Sequence, residues 1–223
     1  MILSLTMFFT GFLGCYAFRC FFIRYFCAAE LIDRYFAVEF MTGGLFFVIT
    51  YSMYGNSQVY PLLCLFFALT LVSFYDIQHR IIPNRLVLLG LTAFVYKLYV
   101  LRQSNLNAGL TVNYFNAVMM SVIGAMLGGG VVAVILILSR GGMGMGDVKL
   151  MALVGLIYGW QRALVVFFSA VALCGFYAAV MVLSSKLKLK SFLPFAPFIT
   201  LGALVAIVFN QRVDHLLKLL NIA

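Results

Sequence analysis

The chain has 223 residues, of which 65% are hydrophobic and only 9% charged. This excludes a soluble globular domain, because a water-facing surface needs roughly a quarter of its residues charged. The formal net charge of +9 would suggest nucleic-acid binding in a soluble protein. Here most of the basic residues lie in short segments between long apolar runs, where they set orientation in a membrane. We therefore exclude nucleic acid as a partner and take membrane lipid as the surrounding solvent.

Eight apolar runs define the predicted helices in chain order. A chain in lipid must satisfy its own backbone hydrogen bonds, and runs without strand-like alternation favour helices over a barrel. The fold class predicted is therefore all-α: a polytopic helical transmembrane protein with six to eight transmembrane helices, forming a single integral-membrane domain over residues 1–223. The runs fall at residues 2–22, 36–54, 59–75, 84–101, 114–138, 146–159, 162–184 and 194–210.

The sixth apolar run and the polar segments between runs predict further local features. A spanning helix needs about 20 residues, so the run at 146–159 is short and is expected to be tilted, re-entrant or joined to its neighbour. RQSNLNAGLTVN (102–113) is expected to form a longer polar loop. The prolines of SFLPFAPF (191–198) are expected to open or kink the last helix.

The basic residues predict which way the chain crosses the membrane. If all eight runs cross and the N-terminus is outside, ten of the 15 lysines and arginines fall in inside loops and five in outside segments. The positive-inside rule favours this orientation. It places the segments 76–83 and 139–149 together on the cytoplasmic side.

Two carboxylates stand out among the six in the chain. Asp76 ends one apolar run, in LVSFYDIQHRIIPNR, and Asp147 begins another, in GGMGMGDVKLM. A carboxylate beside hydrocarbon is costly and is a functional candidate by default. If the fold brings the two together, they could share one proton, so that one takes a proton from water while the other donates to a carbonyl oxygen. That is the chemistry of an aspartic peptidase.

A structural interpretation of the same residues stays open at this point. Asp147 could simply cap the helix that follows, and Asp76 could pair with Arg80 or His79 at the interface. The glycines before Asp147 are expected to allow unusual backbone angles and close approach of a substrate backbone; they are Gly141, Gly142, Gly144 and Gly146.

The two Asp stretches resemble the type IV prepilin peptidase family, which belongs to the GxGD aspartic peptidases. GMGDVKL (144–150) is similar to the family's GxGD-x-KL motif, and DIQHRIIPN (76–84) is similar to its other signature, an Asp followed by an IPN turn. RYFAVEFMTGGLFF (34–47) and PFAPFITLGALVA (194–206) are similar to two further family segments.

The resemblance implies a function and a place for it. It implies a membrane aspartic endopeptidase, with Asp76 and Asp147 catalytic, that removes the basic leader from type IV prepilins or pseudopilins by cutting after a glycine. It also implies the bacterial inner membrane, with the active site at the cytoplasmic face. Which pilin is cut, and whether the machine builds pili, secretes protein or takes up DNA, stays open, as does the oligomeric state.

Several further residues are supporting candidates. Lys149 either stabilises the charge of Asp147 or only sets orientation, and Pro83 and Asn84 are expected to shape the turn that fixes Asp76. Glu39 either contacts substrate or is an interfacial acid paired with Arg34. The supporting set is Gly144, Gly146, Lys149, Arg80, Pro83, Asn84 and Glu39, with Glu30 and Asp33 as candidates for receiving the basic leader.

No metal or cofactor is predicted for the peptidase reaction. Many family members carry an insert with two CxxC pairs between their first two helices, whereas here that segment is only about residues 20–35. Cys15, Cys20 and Cys27 cannot supply the four ligands that tetrahedral zinc needs. Many members also N-methylate the new N-terminus with S-adenosylmethionine; without the insert we do not expect that second activity.

Two rival functions are weighed against this one. A GxGD intramembrane protease of the presenilin or signal-peptide-peptidase sort typically has a Pro-Ala-Leu motif near its C-terminus, whereas this chain has PFAP at 194–197. A non-enzymatic scaffold or transporter is the other. A transporter is expected to show internal repeats and acids near the bilayer midplane, and neither is found in the sequence.

Overall fold

The computed structural model describes residues 32–52, 59–108, 112–139, 144–184 and 193–209. Within these ranges every regular element is an α-helix, which confirms the all-α fold class. The apolar run at 2–22 and the cysteines Cys15, Cys20 and Cys27 lie outside the described residues. The helices are α1 (Ile32–Ser52), α2 (Val59–His79), α3 (Asn84–Ala108), α4 (Val112–Leu138), α5 (Met145–Tyr158), α6 (Trp160–Leu183) and α7 (Ala196–Val208).

Four of these helices, α2, α3, α4 and α6, are long and apolar enough to cross a membrane. The protein is therefore a polytopic helical membrane protein. Helices α5 and α7 have only 14 and 13 residues, which at 1.5 Å per residue is about 20 Å, against about 30 Å for a hydrocarbon core. The described part of the chain thus accounts for between four and seven crossings.

The polar loop expected at 102–113 is wrong in its extent. Helix α3 continues to Ala108, and α4 begins at Val112. The reason is that a helix already formed in lipid extends cheaply, since each further residue adds one hydrogen bond. Arg, Gln, Leu and Ala are good helix formers in water, so polarity here ends the membrane segment but not the helix.

The short run at 146–159 forms a separate helix, which excludes fusion with its neighbour. Helix α5 ends at Tyr158, and Gly159 follows with φ of 79°, in the left-handed region that glycine tolerates. The Gly159 N–H donates to Gly155 O at 2.9 Å, and Gly159 O accepts from the Ala163 N–H at 3.0 Å. One glycine therefore ends α5 and begins α6.

Helix α5 packs against α4 through backbone contact. A Cβ atom added at Gly155 would overlap Gly124 O, and one added at Gly124 would overlap Gly155 O. One turn along α4, a Cβ at Gly128 would lie 2.9 Å from Met151 O. Small residues let helix axes approach closely where lipid gives no hydrophobic drive for association, so these glycines seat α5 on α4.

Lys97 of α3 holds the other end of α5. Its Nζ donates to Ile157 O at 2.8 Å and Leu156 O at 3.3 Å, and to the Ser121 hydroxyl of α4 at 2.8 Å. The last carbonyls of a helix have no partner within it and carry its negative dipole end, which a cation stabilises. A lysine that sequence analysis counted as an orientation charge therefore joins three helices.

Helix α7 is tied to α2 and α6. The Ser73 and Thr200 hydroxyl oxygens lie 2.7 Å apart across the α2–α7 contact, and both residues are buried. A Cβ at Gly202 would lie 2.6 Å from Val166 O of α6. Pro197 is in the first turn of α7, where a missing N–H costs nothing, so the expectation that these prolines open the last helix is confirmed.

We predict that Gly155→Ala destabilises the protein, because the added methyl must push α5 away from α4. Overpacking of this kind costs about 1–3 kcal/mol, although alanine is the better helix former. The matched control is Gly44→Ala in α1, where the added Cβ meets nothing within 4 Å. Thermal unfolding midpoints in detergent check both variants; equal midpoints for Gly155→Ala and wild type would contradict the backbone contact.

Candidate active site

Asp76 lies in the last turn of α2 with only 6% of its surface exposed. Its Oδ2 accepts a hydrogen bond from the backbone N–H of Ala196, the first residue of α7, at 3.3 Å. The residue before α7 is Phe195, whose side chain cannot cap a helix. Asp76 therefore supplies the N-terminal cap of α7 from a different helix.

Asp147 is the third residue of α5 and is 8% exposed. Its Oδ2 accepts the backbone N–H of Gly144 at 3.2 Å, while its own N–H donates to Gly144 O at 3.1 Å. The capping contact expected from sequence is therefore present. The alternative expected for Asp76, a salt bridge to Arg80 or His79, is not present. The His79 ring packs on Tyr75, with ring centroids 4.5 Å apart.

The two carboxylates line one cavity of about 940 Å³. Their charges are close enough to interact, although the residues are 71 positions apart in sequence. The Asp147 carboxylate lies at the N-terminus of α5 and the Asp76 carboxylate reaches the N-terminus of α7, where free N–H groups and the helix dipole stabilise negative charge. The cavity is lined by Asp76, Arg80, Ile81, Ile82, Ile135, Ser139, Gly144, Met145, Gly146, Asp147, Lys149, Val171, Cys174, Gly175, Leu193, Pro194 and Phe195.

The two Asp stretches interlock through a steric contact and a hydrogen bond. A Cβ added at Gly146 would lie 2.7 Å from the Cβ of Ile82, so only glycine lets these segments approach so closely. Lys149 Nζ donates to Asn84 Oδ1 at 2.8 Å. Because Ile82 and Asn84 follow Asp76 while Gly146 and Lys149 flank Asp147, these two contacts fix the position of one aspartate relative to the other.

The turn after Asp76 is built by Arg80 and Pro83. Arg80 has φ of 54°, and its N–H donates to Asp76 O at 2.8 Å. This left-handed ending of a helix is usually made by glycine, since a side chain there is strained. Pro83 O then accepts the Leu86 N–H at 3.1 Å, and α3 begins at Asn84, so Pro83 and Asn84 lie in the turn that the motif predicts.

For Gly144 and Gly146, the two of the four glycines before Asp147 that the structure describes, the predicted role needs correction. Gly144 has φ of −83°, an ordinary value, and Gly159 is the only glycine with positive φ among the described residues. Gly146 makes room for Ile82, whereas sequence analysis expected it to make room for a substrate. A Cβ at Gly144 would lie 3.3 Å from Asp147 Oδ2 and crowd its hydrogen bond.

Some predicted site residues cannot be placed. Glu30, Gly141 and Gly142 lie outside the described residues. Asp33 and Glu39 belong to α1, but their side chains are outside what the structure describes. Their suggested contacts with substrate stay predictions.

The sequence analysis missed one wall of the cavity, formed by Val171, Cys174 and Gly175 of α6. Asp147 is close enough to the Cys174 thiol to interact with it electrostatically. In the sequence, only the pair Cys174 and Gly175, midway along an apolar run, could have indicated this wall. Neither residue is unusual in a membrane helix, so the pair does not by itself predict a site.

The described residues contain no group of three or more His, Cys, Asp or Glu side chains that could hold a metal ion. The three cysteines weighed for zinc lie outside these residues, so the absence of a metal site stays a prediction. The ionisable and polar side chains that line the cavity are Asp76, Asp147, Arg80, Lys149, Ser139 and Cys174, and the two carboxylates among them suit acid–base chemistry.

Comparison with known proteins gives one family. Residues 63–179, more than half of the chain, match the type IV leader peptidase family. This range contains both aspartates, the IPN turn and the cavity wall on α6. No solved structure gives a significant match.

Three curated relatives carry the name prepilin leader peptidase/N-methyltransferase. The protein of Bacillus subtilis (strain 168) is 28% identical over 187 residues, covering 84% of this chain and 71% of the relative. That of Dichelobacter nodosus is 27% identical, covering 85% and 63%, and that of Stutzerimonas stutzeri 26%, covering 84% and 62%. The chain thus spans less than two thirds of the length of the second and third.

We predict that Cys174 reacts with a water-soluble maleimide faster than Cys64. Maleimides react with the thiolate, which forms in water but not in hydrocarbon. Cys174 lines the cavity, whereas Cys64 is exposed along a membrane-length helix. In two variants, one keeps only Cys174 and the other only Cys64 of the five cysteines in the chain. Both are labelled in membranes and compared by mass. Equal, negligible labelling of both would contradict a water-filled cavity.

Proposed function

The chain belongs to the type IV leader peptidase family, and we propose that it is a membrane aspartic endopeptidase in which Asp76 and Asp147 share the catalysis. Its substrates are type IV prepilins or pseudopilins, whose basic leader it removes by cutting after a glycine. The observation that carries the proposal is the shared cavity: two buried carboxylates from distant parts of the sequence face the same space.

Burial supports a proton shared between the two aspartates. Each carboxylate accepts a backbone N–H at 3.2–3.3 Å, at the long end of the usual range. A hydrogen bond to a charged group contributes about 1.5–3 kcal/mol, whereas burying an ion costs several kcal/mol. Holding both carboxylates ionised in one cavity adds their mutual repulsion, so a pair with one proton and one charge is the favoured state.

The proposed reaction uses that pair as acid and base. The ionised aspartate takes a proton from a water molecule as the water oxygen attacks the glycine carbonyl carbon. The protonated aspartate gives its proton to the carbonyl oxygen. As the tetrahedral intermediate collapses and the C–N bond breaks, the aspartate that took the water proton gives it to the departing amine. The other aspartate takes the proton of one hydroxyl of the intermediate, which becomes the carboxyl carbonyl, so the pair again holds one proton. Such a pair titrates as a unit, so neither aspartate is assigned as the base.

We propose that this cleavage needs no metal or cofactor, because the carboxylate pair supplies both acid and base. The names of the relatives include an N-methyltransferase activity. That activity, and the S-adenosylmethionine it would need, is not part of the proposal. The family match favours the prepilin substrate over a presenilin-like one or a non-enzymatic role.

The charges around the cavity suggest how the substrate lies. Arg80 and Lys149 line the cavity and are exposed, so they repel the basic leader. The leader is therefore proposed to lie away from them, with Glu30 and Asp33 as candidate partners. The positive-inside distribution of basic residues supports a cytoplasmic position for this end of the molecule in the bacterial inner membrane.

Substituting either aspartate tests the proposed catalytic pair. Asp76→Asn and Asp147→Asn each keep the size of the side chain and remove its acid–base function, so each is expected to lower the cleavage rate of a co-expressed prepilin by at least about 10²–10⁴-fold. The mass shift of the pilin in membranes measures cleavage. Asp214→Asn, the same chemical change in neither motif, is the matched control. Cleavage by either active-site variant at the control rate would overturn the proposal.

Substitutions at Gly146 and Ile82 test whether the contact between the two Asp stretches sets the geometry of the site. Gly146→Ala forces Ile82 away, and a displacement of about 1 Å in an active site costs up to about 10²-fold in rate. Ile82→Gly removes all the Ile82 atoms that the new methyl would meet, including the Cβ that lies nearest to it. The double variant is therefore expected to cleave faster than the product of the two single effects predicts. Strictly multiplicative effects on the cleavage rate would show that the contact does not set the geometry.

A further inference from the structure

Arg80 has a backbone conformation that its residue type disfavours. Its φ of 54° lies in the left-handed region, where a Cβ atom comes too close to the following carbonyl oxygen and glycine is the usual residue. A glycine here would end α2 with the same hydrogen bond, which the N–H of residue 80 donates to Asp76 O at 2.8 Å. The turn itself therefore gives no reason for an arginine, and a strained residue of this kind points to a role for its side chain.

The side chain of Arg80 lines the same cavity as the two aspartates and is exposed. Among the described residues, neither aspartate forms an ion pair with it, and each carboxylate accepts a backbone N–H at the start of a helix. Lys149, the other described cation in the cavity lining, donates to Asn84 Oδ1. Arg80 thus presents to the cavity a positive charge that no described carboxylate neutralises.

The proposed reaction places a third carboxyl group in this cavity. Before cleavage the glycine carbonyl is neutral, whereas afterwards the leader ends in a carboxylic acid. A carboxyl group at a chain terminus is ionised near neutral pH, so it gives its proton to water and becomes a carboxylate. The aspartate pair, which again holds one proton and one charge, then repels it. A guanidinium has the complementary shape, because its planar fork of N–H donors can make two parallel hydrogen bonds to a carboxylate.

We infer that Arg80 binds the carboxylate that cleavage creates at the end of the leader, so that the cavity holds a site for the product beside the catalytic pair. This site rests on the proposed function, which supplies its ligand. Arg80 repels the basic side chains of the leader and attracts only its new terminus. A leader peptide with a free terminal carboxylate therefore binds more tightly than the same peptide with its terminus neutralised.

Two synthetic leader peptides test this site. Both end in glycine, and one has a free carboxylate whereas the other has a carboxamide of nearly the same shape and no charge. Their binding to the purified protein in an uncharged detergent is measured by fluorescence anisotropy. Wild type is expected to bind the acid at least about 10-fold more tightly, as one charge-assisted hydrogen bond would give. Arg80→Gln is expected to bind both peptides equally or to prefer the amide, because the charge of the aspartate pair then acts alone.

Two further variants separate the site from folding and from net charge. Arg80→Gly removes the guanidinium and relieves the backbone strain, so it is expected to lose the preference for the acid while its thermal unfolding midpoint is no lower than that of wild type. Arg85→Gln is the matched control. It removes the same charge from the first turn of α3, at an exposed position that does not line the cavity, and is expected to keep the wild-type preference.

The outcomes separate the product site from the function beneath it. Equal binding of the two peptides by wild type overturns the site, and so does an acid preference that survives in both Arg80→Gln and Arg80→Gly. Loss of the preference in Arg85→Gln as well also overturns it, since net charge alone would then explain the result. Prepilin cleavage by wild type is measured in parallel, and its presence leaves the peptidase proposal in place in each of these cases. If wild type cleaves no prepilin, the proposed function fails, and Arg80 has no product to bind.

Discussion

The whole arrangement depends on placing two carboxylates inside an apolar protein beside free backbone N–H groups. Asp147 uses the start of its own helix, and Asp76 uses the start of α7, 120 positions away in sequence. The buried carboxylates are stabilised because α5 and α7 begin inside the fold. The start of a helix provides unpaired N–H donors and a positive electrostatic potential. The two shortest helices of the described chain, α5 and α7, are the ones that supply these starts.

Helices α5 and α7 are in turn held in place by contacts between uncharged groups. The Ser73–Thr200 contact fixes α7 against α2 close to Asp76, and backbone contact through Gly124 and Gly155 seats α5 on α4. In the proposed mechanism, capping and catalysis are therefore not competing roles for these aspartates. The N–H that holds each carboxylate in place also stabilises the charge that one of the pair is proposed to carry.

Features that depend on the local sequence could be predicted, whereas features that depend on contacts between distant segments of the chain could not. Apolar runs of about the length that a bilayer helix needs were enough to predict the helical fold. Two acids at the ends of such runs made Asp76 and Asp147 functional candidates, and the resemblance to a family of aspartic peptidases made them a predicted catalytic pair. The role of Gly146 could not be predicted, because it depends on Ile82 arriving from another segment. Lys97 lies inside an apolar run and was counted as an orientation charge, since nothing in the sequence shows that α5 ends beside it. The extent of α3 was missed because polarity marks the edge of the membrane and not the end of a helix.

Helix α5 is fixed at both ends, by Asn84 through Lys149 near its start and by Lys97 at its last carbonyls. An α-helix turns by about 100° and rises 1.5 Å for each residue. Adding or deleting one residue between Asp147 and Tyr158 would therefore swing the carboxylate about a quarter turn around the helix axis while the far end stayed anchored. The length of α5 therefore sets where the Asp147 carboxylate lies in the candidate site. Side chains along α5 can change within the limits of their packing, whereas the number of residues between its two anchored ends cannot.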